Sequence, residues 1–197
     1  MSRDAILQAV RTALGRKQFQ KPTAAPEPIL QVHNWTAADR VARFRAAFES
    51  LGGQLSFASS TMRARDLVTE LLADQSAVAS LAPLLADCGI TTLPGVESAF
   101  SGAEALRHAC ASSPIGITTA WCLLAETGTI VLRSSPEEPR LLSLLPSVLI
   151  VVVMQRRLLE NADEFYGLLP QPTDSASATV LITGPGRQKL HVILVEK

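Results

Sequence analysis

Apolar residues recur along the chain with two spacings, one typical of helices and one typical of strands. Near the amino terminus, Ser2 can cap a helix over residues 3–14 and Gly15 can end it. The apolar positions of this segment share one helical face, and they are Ile6, Leu7, Val10, Ala13 and Leu14. The pattern therefore predicts a short amphipathic helix.

The segment after this helix has the composition of an extended linker. Residues 17–31 contain three prolines and few large apolar side chains. We therefore expect an amino-terminal helix with its linker over residues 1–34 and a compact domain over residues 35–197. The helix must bury its apolar face on its own domain, on a second copy of the chain in a homo-oligomer, or on a partner protein.

Short strands and helices alternate from Trp35 onward, and the second half is rich in apolar, β-branched segments. Residues 148–153 are the most apolar of these, and residues 155–169 have helical spacing. The alternation predicts an α/β fold with a layered, mainly parallel sheet. The last two predicted strands, residues 179–183 and 190–195, are joined by a short segment with two glycines and a proline, so we expect them to form an antiparallel pair.

Composition narrows the class of protein. The chain has 197 residues, is 47% hydrophobic and 18% charged, and carries a formal net charge of +0. These values exclude a disordered chain and a strongly basic nucleic-acid binder, so we expect no nucleic-acid partner. No segment reaches the roughly 20 apolar residues that a membrane span needs, and the charged amino terminus lacks the apolar core of a signal peptide. We therefore expect no membrane insertion and a cytoplasmic location.

Cysteine and histidine spacing argues against metal chemistry in this chain. Cys88, Cys110 and Cys122 are far apart, with no Cys-x-x-Cys pair among them. The three histidines have no metal-ligand spacing with one another either. We predict no metal site and no cofactor in this chain.

The densest group of chemically informative residues lies at 116–129. Hydroxyls and backbone N–H groups at strand ends suit a carboxylate or phosphate, so we predict ligand binding by Thr118, Thr119, Thr127, Gly128 and Thr129. Glu126 lies among apolar residues, where a carboxylate needs a partner or a raised pKa, as at many active sites. The same residues also suit a hairpin turn with Gly128 at positive φ. Both interpretations stay open at this stage.

Two further loops contain candidate ligand-binding residues. Arg140 precedes an apolar segment and can bind an anion or pair with Glu137 or Glu138. Gly184 and Arg187 follow a predicted strand, at the position where open α/β sheets bind ligands. No nucleotide-binding fingerprint accompanies them.

Taken in order, these segments resemble the LUD domain of the lactate-utilisation protein C family, from about residue 35 to the end of the chain. The resemblance rests on Arg140 and on segments 116–120, 125–129, 144–146, 150–153, 182–185 and 190–194. Two departures stand out. Leu149 occupies a position where the family usually has histidine, and residues 184–190 are shorter than the family's loop. The ligand site is therefore reduced, lost, or rebuilt around Arg187.

The resemblance implies a fold similar to sugar-phosphate isomerases and CoA-transferases. It also implies a non-redox subunit of a system that oxidises L-lactate to pyruvate, binding a small anionic ligand beside partner subunits that hold iron–sulfur clusters. Two alternatives stay open. One is a standalone CoA-transferase or isomerase-like enzyme, with Glu126 as catalytic nucleophile or general base. The other is a regulatory or scaffold protein with a degenerate site.

Overall fold

The computed structural model describes residues 3–15, 33–168, 178–184, 186 and 188–196. Its helices are α1 (Arg3–Ala13), α2 (Ala37–Ser50), α3 (Thr61–Leu72), α4 (Pro83–Asp87), α5 (Ala103–Ser112) and α6 (Ala162–Leu168). Its strands are β1 (Gln54–Ala58), β2 (Ala77–Ala79), β3 (Val96–Glu97), β4 (Ile115–Thr119), β5 (Cys122–Leu124), β6 (Thr129–Arg133), β7 (Val148–Met154), β8 (Leu158–Leu159), β9 (Thr179–Thr183) and β10 (Lys189–Val195). Short 3-10 helices cover Ile90–Thr92, Arg140–Ser143 and Gln155–Arg157.

Backbone contacts divide the chain into two compact units, residues 1–32 and residues 33–197. The first contains α1, whose ends suit the helix dipole because Asp4 lies in the first turn and Arg11 in the last. The linker predicted over residues 17–31 lies outside the described residues. In the second unit, Thr36 is the N-cap of α2 and forms a capping box with Asp39.

The second unit contains two sheets. Six strands form an all-parallel sheet in the order β1-β10-β7-β4-β2-β3. Four strands form a second sheet in the order β8-β5-β6-β9, which is antiparallel except for the β5–β8 pair. This architecture confirms the predicted α/β class and the mainly parallel sheet.

Both faces of the parallel sheet are covered, which explains why its central strand β7 is apolar at every position. One face packs against α3 and α4 and includes Ile150 and Val152 of β7. The other packs against α2 and the second sheet through the alternating residues Leu149, Val151 and Val153. Helix α5 also packs on this second face, where Ala109 and Cys110 meet Val78 and Leu142.

The predicted antiparallel pairing of the last two strands is wrong. Strand β10 pairs in parallel with β1 and β7 inside the large sheet, whereas β9 pairs with β6 in the second sheet. The burial of the two strands differs accordingly. β10 places apolar side chains in the cores on both faces of its sheet, whereas β9 has exposed residues at alternate positions.

The helix predicted over residues 155–169 is also only partly correct. Leu158 and Leu159 form β8 and pair with β5, and α6 begins only at Ala162. Asn161 supports that start because its side-chain oxygen accepts a hydrogen bond from the backbone N–H of Glu164. In the part of the chain described, no helix is long and apolar enough to cross a bilayer.

Candidate functional site

The carboxyl ends of β2 and β4 form a crevice because the chain leaves these neighbouring strands toward opposite faces of the sheet. After β2 it continues to α4, which packs on the same face as α3. After β4 it continues into β5 of the second sheet, on the other face. Open α/β sheets bind ligands at such points of divergence. The topology therefore identifies this edge of the sheet as the candidate ligand-binding site.

A cavity of about 490 Å³ lies in this crevice. We call it the arginine cavity, after Arg156 and Arg157 in its lining. Its other polar lining residues are Thr61, Asp87 and Thr119, and its apolar ones include Ala82, Leu84 and Met154. The volume is within the range of about 300–1,000 Å³ that is usual for small-molecule sites.

The two arginines come directly after the most apolar strand. They belong to the 3-10 helix Gln155–Arg157, which follows the end of β7 at Met154. Both side chains are exposed, and within the described residues no carboxylate lies within 4.0 Å of either guanidinium. Arginine stays protonated at all physiological pH values and presents a planar set of donors that matches a carboxylate. Thr61 also lines the cavity and begins α3, whose amino-terminal dipole favours negative charge.

A carboxylate of the same chain already occupies the threonine pair that we predicted to bind an anion. Both hydroxyls, of Thr118 and Thr119, donate to Glu138, and the backbone N–H of Thr119 lies 3.3 Å from the Oε1 atom of Glu138. A carboxylate at the end of β4 is therefore satisfied by three donors. The hydroxyl of Thr119 is bonded to Glu138 at the border of the arginine cavity.

Backbone packing holds the loop that carries Glu138 against β4. A Cβ atom at Gly116 would lie 2.3 Å from the carbonyl oxygen of Leu142, so only glycine permits this approach of the 3-10 helix Arg140–Ser143. The hydroxyl of Ser143 donates to the carbonyl of Arg140 at 3.0 Å. A small cavity beside this loop, of about 10 Å³, is lined by Arg140, Thr118, Thr119 and Glu138 among others. That volume holds about one water molecule.

The predicted pairing of Arg140 with a neighbouring glutamate does not occur. The Arg140 side chain is exposed, and no carboxylate of the described residues lies within 4.0 Å of it. Arg140, Thr118 and Thr119 thus form one group of predicted ligand-binding residues around this small cavity.

Glu126 lies in the turn of the β5–β6 hairpin, which confirms the turn interpretation. Gly128 has φ +64°, and a Cβ atom there would lie 2.6 Å from the backbone nitrogen of Phe48. The expected apolar surroundings of Glu126 are wrong, because the side chain is exposed. Strand β5 separates Glu126 from Thr119 along the chain. A catalytic role for Glu126 stays a prediction.

The other predicted residues of this loop gather around the hairpin and β9. Thr127 and Thr129 share a hydroxyl–hydroxyl hydrogen bond of 2.7 Å, and Thr129 makes another of 2.7 Å with Thr183. Gly184 follows Thr183 at the end of β9, with φ +81°. Arg187 lies outside the described residues. The predicted binding residues therefore form two groups, one at the carboxyl edge of the parallel sheet and one in the second sheet.

Sequence reasoning missed the residues that matter most at the carboxyl edge. Arg156 and Arg157 lie in a segment with helical spacing, and that spacing by itself does not indicate a binding site. The signal that could have found them is their position directly after the most apolar strand of a predicted parallel sheet. Glu138 was considered only as a partner for Arg140, because its contact with Thr118 spans 20 positions of sequence.

The three cysteines do not form a donor set for a metal or cluster. Each is buried in a different hydrophobic cluster, Cys88 beside α4, Cys110 in α5 and Cys122 in β5. Burial raises the pKa of the Cys88 thiol to about 11 and that of Cys122 to about 12, and it also raises the pKa of Cys110. Iron–sulfur clusters need several converging thiolates, so these residues do not fit one. Within the described ranges, no group of three or more His, Cys, Asp and Glu side chains is placed to hold a metal ion.

Comparison with known proteins decides the family. The family model described as the LUD domain matches residues 41–195. This chain belongs to the LUD domain family. The family is associated with lactate utilisation. No curated protein matches the chain.

A crystal structure of a DUF162 family protein from Deinococcus radiodurans, determined at 1.70 Å resolution, has a similar fold. The match has a TM-score of 0.61 at 19% sequence identity and covers 82% of this chain and 99% of that chain. At this level of identity the likeness concerns the fold alone. It supports the layered α/β architecture that positions the arginine cavity.

Proposed function

We propose that this LUD-domain protein is a non-redox subunit of an L-lactate oxidation system and that it binds a small anionic ligand in the arginine cavity. The observation that carries the proposal is the placement of Arg156 and Arg157 at the carboxyl edge of the parallel sheet, beside Thr119 and the start of α3. The family's association with lactate utilisation supports the choice of ligand. L-lactate and pyruvate are both small carboxylates.

The arginines would hold the carboxylate of the ligand by charge-assisted hydrogen bonds. The cavity also contains Asp87, whose charge disfavours ligands with several negative charges. A single carboxylate beside two guanidinium groups and one aspartate leaves the site close to neutral. This balance favours a monocarboxylate over a phosphate ester or a CoA thioester.

Partner subunits would supply the redox chemistry. Oxidation of lactate releases electrons, and iron–sulfur clusters in partner subunits would accept them. The buried, dispersed thiols of this chain do not fit such a cluster, so its contribution would be binding and orientation of the ligand.

The ligand can be tested by calorimetric titration of the purified full chain with L-lactate and with pyruvate. Arg156→Ala and Arg157→Ala should each weaken binding at least about tenfold, because losing a hydrogen bond to a charged group costs about 1.5–3 kcal/mol. Arg107→Ala is the matched control, since Arg107 is an exposed arginine on α5 and does not line the cavity. Equal affinities in all four proteins would refute the assignment of the ligand to the arginine cavity.

Membership of a complex needs a separate experiment. Affinity purification of the full chain under anaerobic conditions should recover partner proteins whose iron and sulfide content matches iron–sulfur clusters. Deletion of the gene should impair growth on L-lactate, and a copy with Arg156→Ala and Arg157→Ala should not restore it. Absence of both the complex and the growth defect would contradict the proposed role.

A further inference from the structure

A second cavity, of about 210 Å³, lies at the same edge of the parallel sheet beyond β2 and β3. We call it the Ser80 cavity. Ser80 follows the end of β2 and Ser98 follows the end of β3, and both line it. Phe100 and Leu106 supply apolar walls, and residues of the loop before Arg140 complete the lining. It shares no lining residue with the arginine cavity.

Ser80 carries an unsatisfied hydroxyl. The residue is 1% exposed, and its Oγ atom has no hydrogen-bond partner among the described residues. Its backbone is held in place, because its N–H donates to the carbonyl of Ile117 at 3.0 Å. Leaving a buried hydroxyl without a partner is unfavourable, so such groups in native proteins usually meet a water or a ligand.

The amino terminus of α5 borders the same cavity, and its first N–H groups have no partner within the helix. Gly102 and Ala103, at the start of this ten-residue helix, line the cavity. Gly102 occupies the capping position and no side chain caps the helix. The first intrahelical bond runs from the N–H of Leu106 to the carbonyl of Gly102, so the N–H groups before Leu106 have no acceptor within the helix. A free helix amino terminus attracts negative charge.

One carboxylate in the lining limits the charge that the cavity can accept. Glu137 lines the cavity, and its carboxylate accepts a hydrogen bond of 2.8 Å from the hydroxyl of Ser135, which lowers the pKa of Glu137. The negative charge of Glu137 disfavours a phosphate or a dicarboxylate much more than a singly charged group.

We propose that the Ser80 cavity binds a short-chain monocarboxylate. The carboxylate accepts hydrogen bonds from the Ser80 hydroxyl and from the first N–H groups of α5, and the alkyl chain packs on Phe100 and Leu106. The cavity is smaller than the roughly 300–1,000 Å³ of drug-sized sites, so it suits a ligand of only a few carbon atoms. This site is separate from the anion site proposed above, and either can exist without the other.

Sodium butyrate is the probe for this site, titrated into the full chain and followed by calorimetry and by amide NMR shifts of α5. A Kd in the millimolar range is expected for a ligand of about six heavy atoms. Ser80→Ala should weaken butyrate binding at least about tenfold without lowering the unfolding temperature, because the lost hydroxyl has no partner among the described residues. The matched control is Ser112→Ala at the far end of α5, whose hydroxyl is bonded to the carbonyl of His108.

A second variant tests the apolar wall. Leu106→Ala should weaken butyrate binding more than acetate binding, because only butyrate has a chain long enough to contact this residue. Inorganic phosphate should not compete with butyrate. Absence of butyrate binding to the wild-type chain would overturn the proposal, as would unchanged binding in Ser80→Ala. Loss of butyrate binding in Arg156→Ala with retention in Ser80→Ala would also overturn it, by assigning the ligand to the arginine cavity.

Discussion

At the scale of single residues, the carboxylate that the local sequence indicates for the site is Glu126, whereas the carboxylate that contacts the threonine pair in the structure is Glu138. Glu126 has apolar neighbours along the chain, yet its side chain is exposed in a hairpin turn. Glu138 has a polar sequence context, yet its carboxylate accepts bonds from Thr118 and Thr119 across the end of β4. The hydroxyls of these threonines therefore bind a carboxylate of the protein itself, and their binding of a ligand stays a prediction.

Glu138→Gln should destabilise the protein by about 1–3 kcal/mol, because the amide replaces a charged acceptor that satisfies three donors. Glu126→Gln should change the free energy of unfolding by less than about 0.5 kcal/mol, as exposed substitutions usually do. Urea unfolding of both variants and the wild type measures the difference. Equal stability of Glu138→Gln and wild type would contradict the hydrogen-bonded role of Glu138.

His191 provides a pH-dependent contribution to stability. It lies on β10 between Gln54 of β1 and Ile150 of β7, and its buried Nδ1 atom has no hydrogen-bond partner among the described residues. Burial, and secondarily the charge of Lys189, lower the pKa of His191 below its ordinary value of 6.5. The folded state therefore binds fewer protons than the unfolded state near this pH.

The wild type should lose stability as the pH falls from about 7 to about 5, because the unfolded state takes up the His191 proton first. His191→Asn should flatten this part of the stability curve, since asparagine does not titrate. Chemical unfolding at a series of pH values provides the comparison. A His33→Asn variant serves as the control. Its stability curve should keep the wild-type slope, because the slope is expected to come from His191. Parallel curves for wild type and His191→Asn would rule out this contribution.

At the scale of elements, turns and caps were predictable whereas strand partners were not. The hairpin turn with Gly128 at positive φ was predicted from local sequence and agrees with the structure, and the capping box at Thr36 also depends only on residues close in sequence. The pairing of β9 and β10 depends on which sheet buries each strand. Their short connection permits a hairpin, but β10 has apolar residues on both faces and is placed between β1 and β7.

Gly128→Ala should destabilise the protein by more than about 1–3 kcal/mol. The residue has a left-handed conformation, which is strained for alanine, and the added Cβ would lie 2.6 Å from the backbone of α2. Gly167→Ala in α6 is the matched control, because open space surrounds that position and alanine favours a helix by about 1 kcal/mol. Similar melting temperatures for the two variants would argue against the close packing of the hairpin turn on α2.

At the scale of the whole molecule, the arginine cavity is a product of topology. Its lining comes from the residues that follow β1, β2, β4 and β7, which are far apart in sequence and adjacent at one edge of the sheet. Each strand contributes one or two polar residues that have no recognisable motif by themselves. A second feature of the whole molecule is the division of the chain into two compact units near residue 33.

A truncated chain of residues 33–197 should fold by itself. It contains both sheets and every helix from α2 onward. We expect its unfolding temperature to stay within about 2–4 °C of the full chain, which corresponds to about 1 kcal/mol for a protein of this size. Calorimetry measures this change. Sedimentation of the full and truncated chains shows whether α1 is needed for self-association. A larger fall, reproduced by Ile6→Ser with Val10→Ser in the full chain, would mean that α1 stabilises the domain.

The sequence by itself determined the α/β class, the helix near the amino terminus, the apolar strand over residues 148–153, the turn at Gly128 and the resemblance to the LUD domain. These features depend on interactions between residues close in sequence, or on the period of apolar positions. Tertiary structure alone decided the order of the strands, the contact of Glu138 with Thr118 and Thr119, and the convergence of Arg156 and Arg157 on the carboxyl edge. The physical reason is that burial on two faces selects the partners of each strand, and those partners determine which distant polar residues share a cavity.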